Sequence, residues 1–368
     1  MEKRKIGIIG GGNLGSVLAV KFSINNVVTL YTNLIDRVSQ YQKDMSVYCE
    51  DTDSYYEGRI AKITCSLKEL VDNSEYIFIT FPAFLFEQLA NELVPLLNAG
   101  QHLVFIPGSG GAELFFKDAL KKGVTISGLQ RVHSVARIVE FGKLVKESGV
   151  RRSLRVASIP SSYNHKAAKD ISSFYGLAVE ELDNYLNITL INSNPILHTS
   201  RLYSIFHDYP SKVDGFDSLP LFYEDWDLNT ANLLVAMDNE LFSIIDKLNS
   251  IGLPVKQITR IVNHYDSEDA KGLTNKLRSI QSLKGLTTPS INNNEGKLIP
   301  DFSSRYFTAD FPYGLDILRS FAKFLNIDVP NMDLVSDWYR KASNNLVSNF
   351  SLQKFGINTY DDLIELYK

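Results

Sequence analysis

The stretch KIGIIGGGNLG, residues 5–15, decides the fold of the first half of this chain. A short apolar run, Lys5–Ile9, leads into the pattern G-x-G-x-x-G, and Asn13–Phe22 continues with apolar residues at helical spacing. The first glycine permits a tight turn, the second lets the backbone approach a pyrophosphate, and the third lets helix and strand pack closely. Amides at the helix start favour a bound phosphate. The stretch therefore predicts a dinucleotide-binding turn. Its predicted contacts are Gly10, Gly12, Asn13, Leu14 and Gly15.

Short Val- and Ile-rich runs recur through the first half and alternate with amphipathic segments. The predicted strands after the first are Val27–Tyr31, Tyr76–Phe81, His102–Ile106, Val124–Ser127, Leu154–Ile159 and Leu177–Leu182. The predicted helices between them are Asn13–Phe22, Phe84–Leu97, Ala112–Lys121 and His165–Phe174. Apolar strands that alternate with amphipathic helices are typical of a parallel sheet covered on both faces. Residues 1–186 therefore predict an α/β dinucleotide-binding domain of the Rossmann type.

The second half has helical periodicity. The predicted helices are Pro195–His207, Asn229–Leu248, Val255–Asn263, Asp269–Gln281, Gly314–Phe324 and Asn331–Asn344. The Asn- and Gly-rich segment Thr287–Pro300 has no apolar period and predicts a loop that could act as a lid. Residues 187–368 therefore predict an all-helical domain. The cleft between the two domains is the default place for a ligand.

Composition excludes several classes of protein. The chain has 368 residues, of which 44% are hydrophobic and 22% charged, as in folded globular proteins. Its net charge of −4 argues against a nucleic-acid partner. The two cysteines, Cys49 and Cys65, form no Cys-x-x-Cys pair, which disfavours a disulfide framework or a metal site and indicates a reducing compartment. No signal-peptide pattern and no run of about 18 apolar residues occurs. We therefore expect a cytoplasmic protein without a membrane partner.

The end of the second predicted strand bears on cofactor choice. An NAD site usually has an acidic residue about 20 residues after the glycines, whereas this chain has Thr32 and Asn33 there, followed by Arg37. Without that carboxylate a 2′-phosphate meets no repulsion, which favours NADP(H) over NAD(H). Thr32, Asn33 and Arg37 are the predicted contacts, although Arg37 could equally be a solvated helix residue.

Two later strands end in turns that could enclose the rest of a dinucleotide. Ligands of open α/β sheets bind beyond the carboxyl ends of the strands. In FPAF and IPGSGGAEL this places Pro82, Ala83, Gly108 and Gly110 beside the ribose and nicotinamide. Ordinary turn chemistry is the alternative role of these residues.

The second half contains a polar set suited to a small acidic substrate. His198 and Arg201 lie three residues apart and so share a helix face, and Arg305 and Asp310 flank an aromatic cluster. Arginine can grip a carboxylate through its planar fork, histidine titrates near neutrality, and aspartate can fix its tautomer. The alternatives are that His198 packs in the core, Asp310 caps a helix and Arg305 forms a surface ion pair.

These segments together resemble the octopine/nopaline dehydrogenase family, the opine dehydrogenases. The resemblance is carried by GGGNLG, PGSGGAEL, NPILH, LFYEDWDLNTANLLVAMDNELFSI and RYFTADFPYGL, in that order over essentially the whole chain. It implies a Rossmann domain followed by an all-helical domain of the type found in 6-phosphogluconate dehydrogenase. It also implies an NAD(P)H-dependent oxidoreductase that condenses an amino acid with a 2-oxo acid and reduces the imine, with these small molecules as partners.

The resemblance implies roles for individual residues. His198 would be the general acid/base, Asp310 its orienting partner, and Arg305 the group that binds a substrate carboxylate. Arg137 and Glu240 match substrate-binding positions less directly. No cysteine precedes Arg137, where relatives often carry Cys-Arg, and this leaves the substrate preference open.

Two alternative functions remain open on the sequence. A carbonyl reductase of the ketopantoate-reductase or glycerol-3-phosphate-dehydrogenase type needs an essential lysine, but Lys212, Lys247 and Lys256 lie in no recognisable motif. A non-catalytic NAD(P)H sensor would not need the His198, Arg305 and Asp310 set. The sequence also leaves open the identity of both substrates, the stereochemistry of the product and the oligomeric state, including a homodimer.

Overall fold

The computed structural model describes residues 3–344 and 350–368, which form two compact units. The first unit comprises Met1–Thr189 and Ile364–Lys368, and the second comprises Leu190–Leu363. The observed break thus follows residue 189, where the sequence predicted it after residue 186. The chain also returns to the first unit at its end, which the sequence did not predict.

The first unit is built on strands from two sheets. In chain order the strands are β1 (Lys5–Ile9), β2 (Val27–Tyr31), β3 (Asp44–Cys49), β4 (Ser54–Arg59), β5 (Lys62–Thr64), β6 (Tyr76–Ile79), β7 (His102–Phe105), β8 (Thr125–Leu129), β9 (Val135–Glu140), β10 (Leu144–Ser148), β11 (Ser153–Ile159) and β12 (Ala178–Glu181). The main sheet has eight strands in the order β12-β11-β8-β7-β6-β1-β2-β5. Parallel pairing of β1 with β2 and with β6 brings the carboxyl ends of these three strands to one edge. The predicted α/β fold class is confirmed.

The first unit also differs from the expectation in detail. Strand β11 pairs antiparallel with β8, so the added strands extend the sheet without continuing its parallel pattern. The helices are α1 (Asn13–Ser23), α2 (Leu67–Asp72), α3 (Phe86–Leu93), α4 (Ala112–Phe115), α5 (Asn164–Tyr175) and α6 (Leu186–Thr189). The predicted helix Phe84–Leu97 is shorter because Val94–Leu96, which contains Pro95, forms a 3₁₀ turn.

A second sheet, in the order β4-β3-β10-β9, was not predicted from the sequence. Strands β3 and β10 bury alternate residues such as Met45, Val47 and Val145 in the same core as helix α1, and the residues between them are exposed or half-buried. Strands of this kind are half-buried, so they show period-two alternation instead of a continuous apolar run. That alternation in DMSVYC was the signal available.

The second unit is mainly helical. Its helices are α7 (Asn194–Phe206), α8 (Leu228–Ser250), α9 (Ile261–His264), α10 (Ala270–Ser279), α11 (Arg305–Thr308), α12 (Asp316–Leu325), α13 (Pro330–Ala342) and α14 (Tyr360–Tyr367), the last of which runs on into the first unit. A π-helical turn, Phe311–Leu315, joins α11 to α12. Among the described residues, no helix is both long enough and apolar enough to cross a membrane, and this includes α8, which has 23 residues.

Two predictions for the second half were wrong in detail. The predicted helix Val255–Asn263 is reduced to α9, because side chains bind the backbone amides nearby: Asn249 accepts from the Val255 amide and Asp238 from the Ile261 amide. The predicted loop Thr287–Pro300 contains an antiparallel hairpin of β13 (Ser290–Asn292) and β14 (Leu298–Pro300). The strands of this hairpin are only three residues long, and the Asn- and Gly-rich turn between them led to the prediction of a loop.

A buried carboxyl ties the chain's end to the first unit. Glu113 Oε1 accepts hydrogen bonds from the hydroxyls of Thr189, at 2.5 Å, and Tyr367, at 2.7 Å. The Glu113 side chain is fully buried, and burial raises its pKa from the ordinary 4.5 to about 7. These contacts explain why the chain's last residues belong to the first unit.

The Glu113 carboxyl should make stability depend on pH. Between pH 4.5 and 7 the unfolded chain releases this proton while the folded chain keeps it, so the free energy of unfolding falls as pH rises. The pKa difference corresponds to about 3 kcal/mol. Urea unfolding should therefore show that, between pH 4.5 and pH 8, the free energy of unfolding of Glu113→Gln rises relative to that of the wild type by about that amount. Glu92→Gln, at an exposed position of the same unit, should not gain. A pH-independent gap between Glu113→Gln and wild type would contradict this.

Candidate active site

The three glycines of the G-x-G-x-x-G pattern, Gly10, Gly12 and Gly15, are each required for a different reason. Gly10 has a φ of 118°, a region that side chains disfavour. A Cβ on Gly15 would lie 1.7 Å from the carbonyl oxygen of Gly10, so this position accepts only glycine. A Cβ on Gly12, at the N-terminus of α1, would have no neighbour within 4 Å. No protein atom therefore requires glycine at position 12. Its missing side chain instead lets a ligand outside the turn, such as a pyrophosphate, come close to the backbone.

A pocket of about 260 Å³ opens over the glycine turn. It is lined by Gly10, Gly11, Gly12, Asn13, Leu14, Gly15, Thr32, Asn33, Leu34, Thr80, Phe81, Pro82 and Leu85. None of the described residues in this lining has a charged side chain, and the first turn of α1 holds no acid. Free amides at a helix N-terminus with no nearby carboxylate suit a dinucleotide phosphate, so the residues present fit the cofactor.

Four predicted cofactor contacts lie outside that lining: Ala83, Gly108, Gly110 and Arg37. Ala83 follows the lining residue Pro82 directly. Gly108 packs inside the unit, where a Cβ would lie 2.6 Å from the Cα of Gly128. Its glycine is therefore explained by close packing of the turn after β7 against β8. The nicotinamide role of Gly108 stays a prediction.

Arg37 lines a shallow neighbouring pocket with residues 33–36. Its guanidinium carbon lies 5.5 Å from the centroid of the Phe141 ring. Asp36, an exposed carboxylate that the prediction for Arg37 did not include, lines the same shallow pocket. A 2′-phosphate here would meet both an attractive and a repulsive charge, so charge alone does not separate the two cofactors.

Asn13 links the glycine turn to the small sheet. Its Oδ1 accepts a hydrogen bond of 2.8 Å from the amide of Ile138 in β9. The neighbouring residue Arg137 is exposed, and among the described residues its side chain has one hydrogen-bond partner, the Ala136 carbonyl at 2.8 Å. Arg137 therefore lies in the strand that Asn13 tethers, with its guanidinium largely available. Its substrate-binding role stays a prediction.

In the second unit, His198 stands between a carboxylate and a phenol. His198 Nδ1 lies 2.8 Å from Asp310 Oδ2, and Nε2 lies 2.9 Å from the Tyr223 hydroxyl. The side chains of His198 and Asp310 are 13% and 16% exposed. Asp310 makes no side-chain cap hydrogen bond, so the alternative of a capping aspartate does not fit. We call these three residues the triad.

Local sequence explains how His198 and Asp310 meet across 112 residues. Pro195 in the first turn of α7 suits a helix start, where no amide partner is needed. Gly314 in the π-helical turn packs against it: a Cβ there would lie 3.1 Å from Pro195 Cβ. A larger residue at 314 would push the two segments apart. The glycine therefore lets the turn after Asp310 approach the helix that carries His198.

Arg305 begins α11, shortly before Asp310 in the chain. Its side chain is exposed and forms no ion pair or hydrogen bond with the described residues. The surface ion pair that the sequence left open is therefore absent from this part of the chain. A free guanidinium is the state that a carboxylate-binding residue requires before substrate arrives.

Arg201, which the sequence placed beside His198, has a structural role. It is 1% exposed and fastens the segment 221–227. Its guanidinium donates to the carbonyls of Phe222 at 2.9 Å, Leu221 at 3.0 Å and Asp225 at 2.9 Å, and to the Asp227 carboxylate at 3.0 Å. Burial lowers the pKa of Arg201, and Asp227 opposes that shift. This segment presents Tyr223, which the sequence analysis quoted within LFYEDWDL without assigning it a role.

Glu240 is engaged elsewhere. Its Oε1 accepts from the amide and the side chain of Asn331, both at 2.7 Å, and its Oε2 accepts from the Met332 amide at 2.9 Å. A carboxylate at the start of α13 satisfies amides that have no partner inside the helix. This capping role accounts for Glu240, so the geometry gives its predicted substrate contact no support.

The family comparison matches the two halves separately. Residues 181–343 match the family described as NAD/NADP octopine/nopaline dehydrogenase, alpha-helical domain. Residues 5–106 match the family described as NADP oxidoreductase coenzyme F420-dependent. The two matched segments fall in the helical and the α/β halves respectively.

Curated relatives resemble the whole chain. A tauropine dehydrogenase of Arabella iricolor is 26% identical over 396 residues, covering 97% of this chain and 99% of the relative. An octopine dehydrogenase of Pecten maximus is 23% identical, covering 98% of each.

Solved structures share the fold. Octopine dehydrogenase with NADH and L-arginine superposes with a TM-score of 0.88 at 21% identity, covering 99% of this chain and 98% of that one. NADP+-bound yersinopine dehydrogenase gives 0.69 at 12% identity, covering 98% and 95%. A ketopantoate reductase of the PanE/ApbA family from Ralstonia eutropha gives 0.60 at 11% identity, covering 92% and 98%.

Proposed function

Because the chain belongs to the octopine/nopaline dehydrogenase family through its helical half, we propose that it is an NAD(P)H-dependent opine dehydrogenase. It joins the amine of an amino acid to a 2-oxo acid and reduces the resulting imine. The observation that carries the proposal is the His198–Asp310 pair at 2.8 Å, with the unpaired Arg305 nearby in sequence. A sensor has no use for such a pair.

The carbonyl-reductase alternative has less support. Lys212 pairs with Asp208 at 2.7 Å on the surface, and the Lys247 ammonium lies 5.7 Å from the centroid of Tyr360. Lys256 is exposed. None of these three lysines has a described contact with the triad.

The first unit would hold the cofactor. Gly12 and the amides at the start of α1 would bind the pyrophosphate, and the pocket residues Thr32, Asn33 and Pro82 would bound the rest. When bound, NAD(P)H supplies the hydride that reduces the imine carbon. The tasks left to the protein are to hold both substrates, to neutralise their carboxylates and to move protons.

The triad would perform the proton transfers. Loss of water from the first adduct of amine and oxo acid needs a proton on the departing hydroxyl, which the His198 imidazolium would supply. Asp310 would orient the ring and stabilise its positive charge through Nδ1. Arg305 would bind a substrate carboxylate through its planar fork.

A substrate matrix tests this function. Amino acids are combined with pyruvate, 2-oxoglutarate or glyoxylate, and the absorbance of NADPH or NADH is followed. We expect oxidation only when an amino acid and a 2-oxo acid are both present. Oxidation with the oxo acid alone would favour a carbonyl reductase, and cofactor binding without any turnover would favour a sensor.

For the cofactor, we propose a preference for NADPH over NADH. Its support is the absence of an acid among Tyr31, Thr32 and Asn33 and the position of Arg37, opposed by Asp36. In fluorescence titrations NADPH should bind more tightly. Arg37→Gln should weaken NADPH about tenfold, the loss of one charged contact of about 1.4 kcal/mol, and leave NADH unchanged. Asp36→Asn should strengthen NADPH. Tighter binding of NADH would overturn the preference.

The expected role of Arg305 leads to a separate prediction. Arg305→Lys keeps the charge but loses the planar fork, so the KM of the carboxylate substrate should rise by about tenfold, within the 1–3 kcal/mol of a charged hydrogen bond. Initial rates at saturating cofactor measure this. Arg278→Lys, which removes a guanidinium contact to the Trp226 carbonyl, is the matched control. An unchanged KM for both substrates would remove Arg305 from the site.

Small molecules are thus the proposed partners. The cytoplasmic location and the homodimer stay predictions.

A further inference from the structure

The nitrogen of His198 that should exchange a proton with substrate already has a partner. The Asp310 carboxylate forms a hydrogen bond with Nδ1 of His198. Because a carboxylate can only accept, Nδ1 carries the hydrogen. In a neutral imidazole Nε2 is then the acceptor. The Tyr223 hydroxyl, 2.9 Å from Nε2, must donate to it. A substrate proton therefore reaches Nε2 only through Tyr223 or after Tyr223 moves.

Tyr223 is held too firmly to move aside. Its side chain is 6% exposed, its ring stacks on Trp226 at 6.1 Å and 18°, and Phe222 packs against it at 5.1 Å. Three hydrogen bonds from Arg201 to the carbonyls of Leu221, Phe222 and Asp225 fix the backbone on either side of Tyr223. Burial raises the pKa of Tyr223 far above its usual range, so the hydroxyl stays protonated at neutral pH. Moving it would break packing and hydrogen bonds together.

The hydrogen-bond direction depends on the charge of His198. When His198 is neutral, the Tyr223 O–H donates to Nε2. When His198 is an imidazolium, both of its nitrogens carry hydrogen, so Nε2–H donates to the Tyr223 oxygen. The hydroxyl hydrogen of Tyr223 is then released to donate elsewhere. Protonation of His198 thus makes a proton available one hydrogen bond further out.

We propose that the Tyr223 hydroxyl relays the proton between His198 Nε2 and the substrate. This inference rests on the proposed function. In the condensing direction, the imidazolium gives the Nε2 proton to the Tyr223 oxygen while Tyr223 gives its own proton to the hydroxyl of the carbinolamine. The carbon–oxygen bond breaks, water leaves, and the nitrogen lone pair forms the C=N bond of an iminium. The positive charge passes from His198 to the iminium, and Tyr223 ends unchanged. The reverse direction returns both protons.

Tyr223→Phe removes the relay and keeps the ring. The matched control is Tyr163→Phe in the first unit, because the Tyr163 hydroxyl also lies 2.9 Å from a histidine nitrogen, His102 Nε2. We expect Tyr223→Phe to lower kcat at least 30-fold, with KM, cofactor affinity and melting temperature close to those of the control. A residue that merely orients His198 would cost only a few-fold. A hydroxyl that merely blocks Nε2 would give an increased kcat.

Solvent isotope effects separate a relay from a static contact. In mixtures of H₂O and D₂O the wild-type kcat should depend quadratically on the deuterium fraction, since two protons move together. Tyr223→Phe should give a linear dependence from one proton. A linear wild-type plot, or a Tyr223→Phe kcat within threefold of the control, would overturn the relay.

A measurement without turnover keeps the relay distinct from the proposed function. The ¹⁵N resonances of His198 in the free protein should report the Nδ1–H tautomer, and Tyr223→Phe should shift Nε2 as its hydrogen bond is lost. An unmoved Nε2 resonance would overturn the relay whatever the enzyme does. Failure of the wild type to oxidise NAD(P)H in the substrate matrix would instead overturn the proposed function, and the Nε2 shift would then stand only as a hydrogen bond.

Discussion

His198→Ala is expected to lower kcat by about 10²–10⁴-fold, the usual contribution of a positioned acid/base. The imidazole is the titratable group that Asp310 orients, at 2.8 Å, and Tyr223 contacts, at 2.9 Å. Steady-state rates in both directions measure the effect. Cofactor affinity should change little, because the glycine turn belongs to the other unit.

The control for this variant lies at the end of the same helix. His207→Ala removes an imidazole that is 45% exposed and borders Asp208, and it should keep wild-type kinetics. Melting temperatures of both variants identify any loss of folding. A folded His198→Ala protein with wild-type kcat would end the catalytic assignment.

Gly15→Ala should be the most disruptive single methyl group in the first unit. The added Cβ would lie 1.7 Å from the Gly10 carbonyl oxygen, and backbone cannot move aside as a flexible side chain can. Overpacking of this kind costs about 3 kcal/mol, which corresponds to a fall in melting temperature of about 6–12 °C. Cofactor binding should be lost with the geometry of the turn.

Gly12→Ala separates binding from folding at the same turn. Its Cβ would meet no atom within 4 Å, so the melting temperature should stay within about 2 °C while cofactor affinity falls at least tenfold, about 1.4 kcal/mol. Gly272→Ala in α10 is the neutral control, because its nearest neighbour, Asp269 Oδ1, would lie 3.4 Å away. Equal melting temperatures for Gly12→Ala and Gly15→Ala would contradict the packing argument.

Local pattern was enough for much of the fold. Strands β1 and β2 begin and end where their apolar runs predicted, because both are buried on two faces and bounded by turn residues. The glycine turn could be predicted from spacing alone, because each glycine is required either by contacts with atoms a few residues away or by the approach of a ligand. The half-buried strand β3 was missed because its alternation is weaker than a continuous run.

The candidate site divides in the same way. His198, Arg305 and Asp310 could be proposed from residue type and from the family resemblance. Tyr223 could not, since nothing near it in the sequence indicates that its hydroxyl meets His198 Nε2.

The sequence by itself therefore determined the two-part architecture and the glycine turn, because these depend on periodicity and local backbone geometry, and its residue types supplied the proposed acid/base pair. Only the tertiary structure decided which polar residues work together. It showed that Arg201 binds the backbone of the segment that carries Tyr223, and that Glu240 caps helix α13. It also buried Glu113 against Tyr367, 254 positions away. A side chain's partner across such distances is set by packing, and packing is a property of the whole chain.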